Sequence, residues 1–160
     1  MQYDPIKRKL GVFFNTTPFF RKIFYRLLDL LLLRSWHIRK AIRQWEKGRR
    51  GPQSILDAGS GFGQYDFYMA RRHRDWYVQG VDVKKEQIAD CNRFFNKIGL
   101  HNARFNEVDL VKYNEKDIYD MVLCVDVMEH IEEDEKVLQN FYHALKKDGM
   151  LLISTPSDQG

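Results

Sequence analysis

The sequence predicts an α/β protein: a Rossmann-like, doubly wound parallel sheet with five strands present, in the order 3-2-1-4-5, preceded by an N-terminal helical extension. Three observations predict it. From Gln53 onward, short runs of Ile, Val and Leu alternate with segments of helical period, the pattern of strands covered on both faces. The first run leads into Asp57-Ala58-Gly59-Ser60-Gly61-Phe62-Gly63 and then a helix. An acid, Asp82, ends the second run nineteen residues after Gly63.

Taken in order, Thr17-Pro18 reads as an N-cap with Pro at the first helical position. Phe20, Phe24, Leu27, Leu31, Ile38, Ile42 and Trp45 then recur at three, four or seven, and Gly48 follows as a stop. This is one long helix or two, breaking near Arg34-Ser35. Arg49-Arg50-Gly51-Pro52 is the linker, so residues 1–50 form a basic amphipathic extension and 51–160 the sheet domain. The strands fall at Ser54–Ala58, Tyr77–Val81, Ala103–Val108, Met121–Val125 and Met150–Ser154. Helices fall near Gln64–Arg72, Lys85–Ile98 and Asp134–Lys146, and only a short helical turn fits between the third and fourth strands.

Composition narrows the function. Of the 160 residues, 44% are hydrophobic and 30% charged, which is globular rather than disordered. The net charge of +4 conceals a split: 13 Lys/Arg against 3 Asp/Glu up to residue 50, and 13 against 19 beyond it. An acidic body argues against a nucleic-acid partner, while the basic front suits an anionic one. Cys91 and Cys124 form no C-x-x-C pair, so neither a disulfide framework nor a zinc cluster is indicated, and a cytoplasmic setting is expected. The apolar stretch Phe19 to Trp36 is broken by Arg21, Lys22, Arg26, Asp29 and Arg34, too many charges for a membrane span.

The glycine loop carries the chemistry. Alternate glycines let the backbone turn sharply and approach a ligand, and the helix behind offers unpaired amides. The dinucleotide fingerprint G-x-G-x-x-G needs a sixth-position glycine where Gln64 stands, and no Gly-Lys-Ser/Thr follows. Asp57 beside the loop repels a pyrophosphate and suits a cationic ligand. Asp82, at the end of the second strand, can accept both hydroxyls of a ribose.

On these residues the chain resembles the class I S-adenosylmethionine-dependent methyltransferases, over roughly Gln53 to Ser157, with some similarity to quinone-biosynthesis O-methyltransferases. The motif D/E-x-G-x-G-x-G is matched in full by Asp57, Gly59, Gly61 and Gly63. Asp82 matches the family's ribose-binding acid and Asp109 the acid near the adenine amino group. The segment Tyr119 to His130 is similar to the fourth-strand motif. Leu145 to Ser154 is similar to the fifth, with Lys147 and Asp148 replacing Pro and Gly. The resemblance implies S-adenosyl-L-methionine as cofactor, with Phe62, Val83, Leu110 and Val125 completing its binding set. It implies methyl transfer to a small or lipid-like acceptor, oxygen weakly preferred. The alternative is a cofactor-binding or interaction module without turnover.

Asp126-Val127-Met128-Glu129-His130 follows the fourth strand at the ligand edge of such a sheet. Three readings stay open: His130 as general base with Glu129 beside it, a divalent-metal site, or a loop held by backbone hydrogen bonds. The acidic run Glu132 to Glu135 complements a helix N-terminus. The front helix packs as core, closes over the site as a lid, or lies on an anionic membrane through residues 17–47. The family sheet usually ends in a hairpin of two further strands, so a truncated chain is expected, with an unpaired fifth strand open to a homo-oligomeric partner.

Overall fold

A computed structural model describes residues 18–31 and 33–155. The expected Thr17 cap, Ser157 and the terminus at Gly160 lie outside the described residues. The chain forms two compact units divided after Arg50. The first holds helices α1 (Pro18–Leu31) and α2 (Leu33–Glu46). Arg34 and Ser35, expected at a helix break, lie inside α2, which the spacing of Ser35, Ile38, Ile42 and Trp45 explains: all four are buried at helical intervals. On α1, Arg21 and Tyr25 are buried one turn apart, and the guanidinium Nε donates to the Tyr25 hydroxyl at 3.0 Å. No described helix is long and apolar enough to cross a membrane.

The second unit runs β1 (Ser54–Ala58), α3 (Gln64–Arg72), β2 (Tyr77–Asp82), α4 (Lys85–Lys97), β3 (Ala103–Glu107), β4 (Tyr119–Val125), α5 (Asp134–Ala144) and β5 (Leu145–Ser154). The strands form one parallel sheet in the order β3-β2-β1-β4-β5, as the sequence predicts. The short crossover after β3 is a single 3-10 turn, Leu110–Lys112.

Alternation along β1 sorts the two cores. Leu56 and Ala58 join Val122, Cys124, Val137 and Phe141 beneath α5. Asp57 pairs in register with Gly80 of β2, and over Gly80 lie Phe105 and Asp66. Phe67, Phe94, Phe95 and Phe105 interlock beside them, Phe95 and Phe105 at 4.7 Å between ring centres.

Two ends differ from expectation. Helix α5 stops at Ala144 rather than Lys146, because Asp117 N and Ile118 N take the carbonyls of His143 and Ala144 at 2.9 Å. Strand β5 therefore begins at Leu145, is interrupted where Asp148 takes a φ of 62°, and resumes against β4 from Met150. Strand β4 starts at Tyr119, two residues early. The Asp120 carboxylate then accepts from Ser54 N at 2.7 Å and Lys146 Nζ at 2.9 Å, tying β1, β4 and the start of β5 together.

Candidate active site

The carboxyl ends of β1, β2, β3 and β4 sit side by side, so the loops after them share one rim of the sheet. After β1, Gly59 N and Ser60 N both donate to Val81 O at 2.8 and 2.9 Å, and Gly63 N closes a turn on Ser60 O. Gly59 has a φ of +81°, and a Cβ there would lie 2.1 Å from Val127 Cγ2. No side chain fits. Gly61 is different: at φ +51° its missing side chain faces open space, with nothing nearer than 4.0 Å. The loop is open on that side, while its backbone is held by Gly61 N donating to Asp82 and Cys91 Sγ donating to Gly61 O at 3.5 Å. Gly63, at a φ of +73°, precedes α3 with no side-chain cap, and its carbonyl accepts from Phe67 N at 2.9 Å.

Asp82 fastens this loop to the next. Its Oδ2 accepts from Gly61 N at 3.1 Å and its Oδ1 from Lys84 N at 2.9 Å. Val83 beside it is 62% exposed, an apolar side chain held out on the rim. Asp109 is exposed and caps the 3-10 turn, accepting from Val111 N at 3.0 Å, while Leu110 is buried. Phe62 and Val125 are half-buried.

The loop after β4 starts at Asp126, with a φ of 57° and its amide donating to Ser154 O at 2.8 Å. A 3-10 turn, Met128–His130, follows, closed by His130 N on Val127 O at 3.0 Å. Glu129 is exposed and accepts from Thr155 Oγ1 at 3.3 Å, and the His130 ring is exposed. Among the described residues no three His, Cys, Asp or Glu side chains gather as metal ligands, Asp126, Glu129 and His130 included.

Beneath the loop lies a feature the sequence reading did not single out. Asp57 is 1% exposed and Asp66, in the first turn of α3, 0%. Burial pushes the Asp57 carboxyl up to about 6, against a hydrogen bond with Asp66 that lowers it and the Asp82 charge that raises it. Asp66 is held well above the ordinary carboxylate range by burial and then by the charge of Asp57. Cys124, next on β4, is pushed up to about 12 by burial and then by Asp57, so it stays a thiol. The signal for Asp66 was present: it shares the spacing of the buried Met69 and Ala70.

A glycine loop after β1, clipped by an acid at the end of β2, sits at the carboxyl edge of a doubly wound sheet, where such folds take their ligands. Residues 52–159 match the family model described as "Methyltransferase domain". The chain belongs to that family, the class I S-adenosylmethionine-dependent methyltransferases. A probable (S)-tetrahydroprotoberberine N-methyltransferase 2 of Papaver bracteatum is 27% identical over 101 residues, 63% of this chain and 28% of that protein. A ubiquinone biosynthesis O-methyltransferase of Rickettsia felis is 26% identical, over 63% of this chain and 40% of its own length. The structure of Haemonchus contortus phosphoethanolamine N-methyltransferase 2 with S-adenosyl-L-methionine superposes with a TM-score of 0.65 at 26% identity, covering 75% of this chain and 28% of that one. The chain thus spans well under half the length of the curated relatives it matches.

Proposed function

We propose that this chain binds S-adenosyl-L-methionine at the rim after β1 and β2 and transfers its methyl group to a small or lipid-like acceptor. The observation that carries this is the bare backbone at Gly61 beside Asp82, above a buried Asp57 whose Oδ2 has no hydrogen bond of ordinary geometry in the chain. A buried carboxyl with no cation beside it suits a cationic ligand and is costly to ionise without one. The residues therefore fit the cofactor. When bound, it supplies a methyl group on a positively charged sulfur, open to in-line displacement.

The chain's own part is positioning and electrostatics. Gly59 and Gly63 shape the turn against Val127 and the Phe95–Phe105 rings, Gly61 lets the methionine portion pass close to the backbone, and Asp57 sets a negative field behind them. Asp82 takes the ribose hydroxyls on its remaining lone pairs. Val83, Phe62, Leu110 and Val125 border the sugar and base, and Asp109 meets the adenine amino group while capping its own turn. His130 receives the proton that an oxygen or nitrogen acceptor loses, and Glu129 holds the loop through Thr155. Most of the curated relatives are named for nitrogen methylation and the Rickettsia felis protein for oxygen, which gives the expected weak preference for oxygen no support.

Asp82→Ala should weaken S-adenosyl-L-methionine binding by roughly 10- to 100-fold by equilibrium titration, as loss of a charge-assisted pair implies. An unchanged affinity refutes the assignment. Binding of the cofactor without methyl transfer to any acceptor in a broad panel would point instead to a module without turnover.

The acceptor side of the reading rests on α1. Phe19, Phe20, Ile23 and Leu27 are 37–68% exposed. At 100° per residue they share an arc of roughly 100° on the side away from the buried Arg21 and Tyr25. Lys22 and Arg26 line one edge of that arc, and on α2 Lys40 Nζ lies 5.1 Å from the ring of Trp36, itself 52% exposed. An outward apolar stripe edged with cations is the profile of a helix resting on anionic lipid, which makes a lipid-like acceptor the favoured class.

A further inference from the structure

The pair of buried acids behind the glycine loop goes beyond this reading while resting on it. Asp57 and Asp66 come from different elements, β1 and α3, and meet over Gly80, where a Cβ would stand 2.9 Å from Asp66 Oδ1 and 2.5 Å from Phe105. Glycine at position 80 is what leaves room for the carboxyl. Asp57 Oδ2 and both oxygens of Asp66 are sealed from solvent with no hydrogen bond of ordinary geometry, yet the two carboxyls are close enough to share a proton. Two negative charges cannot both persist in such a place, so one carboxyl carries the proton. Asp66 is the one: its bond to Asp57 raises its own proton affinity and lowers that of Asp57. An apolar residue at 66 would fill the same buried stripe as Met69 and Ala70 at lower cost. Packing alone does not account for an acid there.

We infer that Asp66 is a positioning residue for the cofactor: by donating one shared proton to Asp57 it keeps the pair's single negative charge on Asp57, directly behind the glycine loop. The other titratable groups acting on Asp57 are Asp82 from β2, which adds negative charge, and Cys124 from β4, a neutral thiol. None of them carries a positive charge, and the hydrogen bond that holds the Asp57 charge is the one with Asp66.

The consequence is a pH dependence of known sign. Above about pH 6 the pair holds one charge and attracts a cationic ligand. Below it Asp57 takes a proton and that attraction is lost. Removing the donor makes the bare Asp57 carboxylate harder to sustain, so the loss of affinity moves to higher pH.

The test uses the full chain and two readouts. The first is the carbon-13 carboxyl titration of labelled aspartate in the ligand-free protein. The second is S-adenosylhomocysteine and S-adenosyl-L-methionine affinity from pH 5 to 9. Asp66→Asn retains a donor and should keep affinity within about threefold, with the wild-type midpoint. Asp66→Ala should lose about tenfold at pH 7 and shift the Asp57 midpoint upward. Asp66→Ser, with a shorter donor, falls between, and stands in for the alanine variant if that fails to fold. Equal midpoints and affinities in the alanine and asparagine variants would overturn the inference, as would an Asp66 carboxyl ionised at pH 7 in the wild type. Wild-type protein that binds neither ligand would refute the methyl-transfer reading instead, and the carboxyl titration would still decide whether the proton is shared.

Discussion

Asp57, the acid we place behind the cofactor, is kept at the expense of the fold. Its carboxyl titrates near 3.8 when unfolded and about 6 in place. The folded state therefore binds the extra proton between those values, and stability falls as pH rises through that window. Above pH 6 the penalty is complete, and below pH 3.8 it is absent. Asp57→Asn should accordingly raise thermal stability relative to wild type at pH 8, by up to a few kcal/mol, and give no gain below pH 4, while abolishing cofactor binding. Melting curves at the two pH values check the sign. Gly59 is the opposite case, a residue the fold itself demands. Gly59→Ala meets Val127 Cγ2 at 2.1 Å in a left-handed backbone, so a loss of about 2–4 kcal/mol is expected by denaturant titration.

At the scale of elements, local signals placed the strands and the loop, and long-range ones moved their ends. Apolar runs such as Ile55-Leu56 and Met121 to Cys124 are buried throughout, so their composition alone marked them as central strands. The end of α5 was not readable, because it depends on amides from Asp117 and Ile118, some 26 residues upstream. Asp109 was legible as a cap, since an acid before a short turn needs no tertiary context. Asp66 was overlooked for the reverse reason: an acid in a first helical turn usually faces water, and only the opening left by Gly80 brings it inside. Helix α1 yields the prediction that belongs here. The full chain should co-sediment with phosphatidylglycerol vesicles and not with phosphatidylcholine, and high salt should release it. Ile23→Asp, in the middle of the exposed stripe, should reduce that binding several-fold without altering cofactor affinity. Indifference to vesicle charge would end the membrane reading.

Across the whole molecule, the charge split and the structural division fall at the same place. The basic residues up to 50 occupy one unit and the acidic remainder the other. Between them Lys47, Gly48, Arg49, Arg50 and Gly51 are all exposed, and around the glycines at 48 and 51 nothing lies within 4 Å of a would-be Cβ. Brief trypsin treatment should cut first at Lys47, Arg49 or Arg50, leaving a fragment that begins near Gly51. Early cleavage inside α3 or α4 would contradict the division. The family match, residues 52–159, starts within a residue of the same point.

Asp82 also bears on amide exchange. Its two oxygens are bonded to Gly61 N and Lys84 N before any ligand arrives, so two loops are clipped by one side chain. Those two amides should exchange with heavy water slowly in the ligand-free protein and together, and both should speed up in Asp82→Ala by a similar factor. The affinity lost in that variant then sums a missing ribose contact and two loops set loose, and the exchange rates of the free protein measure the second part by itself.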